Sequence, residues 1–187
     1  VQLNETGLRQ VEAVADFLSR EQVDAVYTSP LERATRTAEE ISSRHSLVPE
    51  ICECLIEINH GQWEGLYLHQ VLEHHHQLYR TWLDEPMAVR MPEGESLVDV
   101  RERVVAGFKE IVEGHDDQTI VLVGHDATNK VLICCLIGVD SSNFWKIKQG
   151  NAGVTVVEYE NGTGRLLLLN DTCHLGGPVD QTAPGAL

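Results

Sequence analysis

Apolar positions recur along this chain with two periods, and the switches between them mark its elements. Leu8, Val11, Val14, Ala15 and Leu18 fall at helical spacing and predict a helix beginning near Thr6. The run VDAVYTS (23–29) is short and rich in β-branched residues, which predicts a strand. Ser29-Pro30-Leu31-Glu32 then combines a capping box with proline at a first helical position, predicting a helix to about residue 45. A second strand is predicted over 51–56, a helix over 67–85 and a loop over 86–96. Ser96 and Asp99 form another capping box, ahead of an amphipathic helix marked by Leu97, Val100, Val104, Phe108 and Ile111 and ended by Gly114. TIVLVG (119–124) is nearly all apolar, as a strand covered on both faces of a parallel sheet would be. A helix over about 127–137 closes at Gly138. Strands over 153–159 and 165–170, joined by the turn signal Asn161-Gly162, should add an antiparallel edge.

Strands alternating with helices predict an α/β fold, a three-layer α/β/α sandwich around a mainly parallel sheet. No internal repeat or second domain is apparent, so residues 1–176 are expected to form one domain. The Gly-, Pro- and Ala-containing stretch 177–187 is expected to be a disordered tail.

Charge narrows the partners. With 29 acidic against 14 basic residues the formal net charge is −15, which argues against nucleic acid and anionic membrane. A small anionic ligand held by a few focused cations is still allowed. Cysteines are odd in number, with no signal-peptide pattern before them, so reduced thiols in a cytoplasmic protein are expected. Cys52 and Cys54 point to one face of the predicted strand but lack further ligands for a metal. His74, His75 and His76, with His69 nearby, project about 100° apart around a helix and cannot share one ion. They read as a solvated helix face.

In open α/β sheets, ligands bind beyond the carboxyl ends of the strands. Past the strand 23–29 comes Arg33, past 51–56 comes Glu57, and past 119–124 comes His125. A planar cation, a carboxylate and an imidazole thus reach one edge from three separate elements. Each suits phosphoryl transfer. Arg33 can fork onto phosphate oxygens, His125 can stabilise the transferring group, and Glu57 can protonate a leaving alcohol oxygen.

SPLERATRTAEEI (29–41), LIEINHGQWEGL (55–66), PEGESLVDVRERV (92–104) and IVLVGHDATNKVLI (120–133) resemble, in order, successive blocks of the histidine phosphatase superfamily, the phosphoglycerate mutase-like group. The segment 2–15 resembles the stretch that follows that family's first motif, so the likeness runs from about residue 2 to about 175. It implies an α/β/α sandwich and phosphoryl transfer through a phosphohistidine, with no cofactor. By the same resemblance, Arg33 matches the phosphate-clamping arginine, Glu57 the acid/base glutamate and His125 the second histidine. Glu95 and Ser96 match a block near the substrate pocket. The helical segment after residue 67 overlies the site, where its histidines could add positive charge.

The family opens on an apolar strand ending Arg-His-Gly, whose histidine is the nucleophile. Residues 1–187 hold no such strand, and Asn59-His60-Gly61 already belongs to the Glu57 block. The expectation is a fragment that lacks its nucleophile and first central strand, is inactive as it stands and is marginally stable. The implied enzyme is a phosphomonoester hydrolase acting on a small phosphorylated metabolite. A mutase would carry more basic residues than Arg80 and Arg90 over 67–96. The alternative is a non-catalytic module that binds phosphorylated ligands; a homodimer is left open.

Overall fold

Three short parallel strands make the floor on which the candidate residues stand. In the computed structural model, which describes residues 2–176, β1 (Ala25–Thr28) lies between β2 (Glu50–Ile51) and β3 (Ile120–Val123). Thr28 faces Val123 on one side and Ile51 on the other. The ladders continue one step further, through Ser29 N–H to the Val123 carbonyl at 3.0 Å and Cys52 N–H to the Thr28 carbonyl at 2.8 Å.

Side-chain alternation sorts the core into two layers. Val26, Val121 and Val123 turn toward α1 (Glu5–Leu18) and α2 (Glu32–His45), where they meet Val14, Ala15 and Ile41. Tyr27 and Leu122 turn the other way, toward α4 (Leu97–Glu113) and α5 (Asp126–Leu136). There they join the larger cluster around Leu55, Trp63, Val100, Val104 and Val131. Helices on both faces of a parallel sheet make the expected three-layer sandwich.

α3 (Leu68–Asp84) stands between β2 and α4 in the chain, with backbone at His75 that is not helical (φ −132°, ψ 28°) and kinks it. Each predicted helix is present within a few residues. α1 starts one residue earlier than its pattern suggests, because Asn4 Oδ1 caps Gly7 N–H at 2.8 Å. Both halves of the Ser96–Asp99 capping box form, with Ser96 N–H donating to Asp99 at 2.7 Å.

Four expectations are corrected. The strand predicted over 51–56 stops at Ile51 and turns into a 3₁₀ segment, Glu53–Leu55. Cys52 and Cys54 are joined by a disulfide, Cα atoms 5.3 Å apart, so these two are not the reduced thiols expected. α4 lies hard against this pair: a Cβ on Gly107 would come within 2.4 Å of Cys54 Cβ. β3 is half-covered along all four residues rather than sealed, and it pairs only with β1 among the described strands. The late hairpin, β4 (Val154–Glu160) and β5 (Thr163–Asp171), forms its own two-stranded sheet instead of an edge of the first. Asn161 and Gly162 both take positive φ (52° and 80°), giving the turn twist that fits a two-residue hairpin. The tail 177–187 lies outside the described residues. No helix among the described residues is long and apolar enough to cross a membrane.

Candidate active site

Ser29 is the first residue the fold uses differently from its sequence pattern. The Ser29–Glu32 capping box does not form, since α2 begins at Glu32 after Leu31, with no side-chain cap. Ser29 instead ends β1, wholly buried, where its Oγ accepts from Leu31 N–H at 3.2 Å and lies 2.8 Å from His125 Nε2. The chain then enters α2, and Arg33 follows in its first turn, half-buried.

His125 leaves β3 through Gly124 and occupies the N-cap position of α5 with 8% of its surface exposed. Gly124 admits it because Asn129 Oδ1 would lie 2.4 Å from any Cβ there. Burial, then the charges of Arg33 and Arg103, push the His125 ring pKa down to about 4. A ring that feels both guanidiniums stands in a cationic corner, which is the field an anionic group would relieve.

Glu57 reaches the same corner from the loop after the 3₁₀ segment. Its carboxylate accepts from Ile58 N–H at 2.9 Å, and from Thr128 and Ala127 N–H of the first α5 turn at 3.3 and 3.4 Å. Thr128 Oγ1 donates to the Ile56 carbonyl at 2.6 Å and ties that loop to α5. The Glu57 carboxylate therefore caps the helix whose N-cap residue is His125. The fold brings together all three residues predicted from strand ends.

Glu95 and Ser96 are spent inside the protein. Glu95 takes a forked pair from Arg103 at 2.9 and 3.1 Å and accepts Asn59 N–H at 2.9 Å. Ser96 is buried in its capping box, where its hydroxyl and the Arg90 guanidinium hold the Asp99 carboxyl down at about 2. Arg103, which the strand-end rule does not reach, is the hub, donating a third bond to the Cys54 carbonyl at 2.9 Å. Its signal was an arginine on the apolar stripe of α4, beside Val100 and Val104. His60 also lines this region; burial lowers its pKa, against the raising effect of Glu57, Glu64 and Asp126.

Of the four histidines on α3, three are exposed and His75 leans on Trp63, ring centroids 6.1 Å apart. No cluster of three or more His, Cys, Asp or Glu side chains placed to hold a metal ion occurs among the described residues. Buried Lys130 pairs at 2.8 Å with Asp126, an exposed residue one turn earlier on α5, and its ammonium lies 4.9 Å from the centre of the Phe144 ring.

The family profile of the histidine phosphatase superfamily (branch 1) matches residues 1–172. Phosphoserine phosphatase 1 of Hydrogenobacter thermophilus is 39% identical over 174 residues, covering 93% of this chain and 82% of that protein. Among solved structures, Bacillus stearothermophilus YhfR superposes with a TM-score of 0.86 at 26% identity, covering 92% of this chain and 86% of its own. A mycobacterial glucosyl-3-phosphoglycerate phosphatase, solved with inorganic phosphate, superposes with a TM-score of 0.84 at 28% identity, covering 92% of this chain and 88% of its own.

Proposed function

This chain belongs to the histidine phosphatase superfamily, and on that premise we propose that it carries the substrate-gripping residues of a phosphomonoester hydrolase working through a phosphohistidine. One observation carries the reading. His125 is buried, feels the charges of Arg33 and Arg103, and is the N-cap residue of the helix whose Ala127 and Thr128 amides hold the Glu57 carboxylate. Arg33 clamps the phosphate, and His125 holds the phosphoryl oxygens as charge shifts among them. Glu57 gives a proton to the leaving alcohol oxygen and later takes one from water. Glu95 and Ser96 bear on substrate through the walls they fix, Arg103 and the start of α4. Phosphoserine is the first substrate to try, because the relative at 39% identity is named for it. These residues need no metal for their roles.

The nucleophile is the histidine of an Arg-His-Gly strand, which residues 1–187 do not contain. The deciding experiment compares this chain with one carrying such a strand ahead of residue 1, on L-phosphoserine and on an aryl phosphate. Turnover by the extended chain alone, lost on His125→Ala, is the expected result. Turnover by the chain as it stands would refute the assignment of the nucleophile. A second reading, a non-catalytic module for phosphorylated ligands, is favoured by Arg33 and His125 themselves, which hold an anion without a nucleophile. Phosphate binding with no turnover in either form would put that reading first.

A further inference from the structure

The Ser29–His125 contact fixes which way the imidazole is protonated. Ser29 is fully buried, and its Oγ has two neighbours: Leu31 N–H, which donates to it at 3.2 Å, and His125 Nε2 at 2.8 Å. A hydroxyl carries one hydrogen and two lone pairs. Were Nε2 the donor, Oγ would accept twice, and its own hydrogen would sit in the core with no acceptor among the described residues. A buried donor without an acceptor costs more than a hydrogen bond gains. The ring's low pKa makes the neutral form, with a single N–H, its resting state. Nδ1 has no hydrogen-bond partner among the described residues.

We infer that Ser29 is a positioning residue that donates its hydroxyl hydrogen to His125 Nε2, so that the ring keeps its proton on Nδ1 and presents Nδ1–H to a phosphoryl oxygen. This rests on the reading that His125 meets the phosphoryl group. Ser29 touches no substrate; it acts by holding the tautomer. The backbone fits the role. Ser29 N–H bonds the Val123 carbonyl at 3.0 Å, which fixes the serine against the strand that delivers His125 two residues later. The sequence block therefore uses its serine on the neighbouring strand's histidine, and the helix it seemed to cap goes without a side-chain cap.

Long-range 1H–15N spectra of the imidazoles at pH 7 test this on the chain as it is, with the His125 signals assigned by their loss in His125→Gln. The wild-type ring should show the proton on Nδ1. Ser29→Ala and the nearly isosteric Ser29→Cys should both move it toward Nε2, the form a free imidazole prefers, while circular dichroism stays unchanged. Inorganic phosphate should bind both variants about five- to tenfold more weakly. A wild-type proton on Nε2, or a tautomer unmoved in both variants, would overturn the inference. Adding phosphate to the wild type tests the parent reading separately. Ring signals of His125 that ignore phosphate would sink the phosphate site and the presentation of Nδ1–H to it, and leave the hydroxyl's direction to be judged by the tautomer alone.

Discussion

Histidines occupy this chain in two contrasting settings. His125 is buried at a helix N-cap, with Nε2 against Ser29 and two guanidinium charges around it. His69, His74 and His76 lie exposed on α3, and with His75 they make no hydrogen bond or ion pair among the described residues. The ring chemistry is the same. What differs is that neighbours from β1, α2 and α4 constrain one ring by a hydrogen bond and by charge, while the others meet at most an aromatic ring, His75 on Trp63 and His69 on Tyr67. A site depends on how far a side chain has been decided in advance, and a dense run of imidazoles does not supply that.

The largest effect expected concerns acid. Burial and the two arginines lower the His125 pKa from 6.5 to about 4, so the unfolded chain binds the proton more readily than the folded one. The penalty is absent above about pH 6.5, grows as pH falls, and levels off below about 4 at up to roughly 3 kcal/mol. Urea unfolding across this range should lose that slope in His125→Gln and keep it when His74, His75 and His76 are all alanine. A slope as steep in His125→Gln as in the wild type would break the contrast; a smaller residual slope belongs to His60, whose pKa burial also lowers. Next, Arg33→Ala should weaken inorganic phosphate binding about 10- to 100-fold, as loss of a charge-assisted pair predicts, read by calorimetry. Arg103→Ala should cost about 2 kcal/mol of stability by leaving Glu95 unpaired, a figure reduced for the partial exposure of both groups. The triple alanine variant of α3 should change stability by less than about 0.5 kcal/mol and phosphate affinity by less than about twofold.

Local periodicity made much of this molecule readable. The stripe Leu97–Val100–Val104 announced α4, and the apolar run before His125 announced β3. The rule that ligands gather past strand ends points to Arg33, Glu57 and His125, which the fold sets near one another. The misses share a physical cause. Ser29 reads as a cap because capping is local, and nothing within four residues reveals an imidazole 96 positions away. The early end of the strand at Ile51 is not legible locally, because it goes with the Cys52–Cys54 bond and with Arg103 taking the Cys54 carbonyl, 49 residues distant. The separate sheet of the hairpin is not legible in sequence, because alternation reports that a strand has two faces but says nothing of which neighbour it joins.

Glu57 holds two posts at once. Its carboxylate takes up amide hydrogens of Ala127 and Thr128, and the proposed chemistry asks the same oxygens to carry a proton to an alcohol and fetch another from water. A proton on Glu57 competes with those amides for the same lone pairs. The first turn of α5 would then slacken and tighten once per catalytic cycle, in step with the acid. His125 rides on that turn, so in the proposed chemistry the grip on the phosphoryl oxygens and the delivery of the proton would be geared to each other by a single helix end.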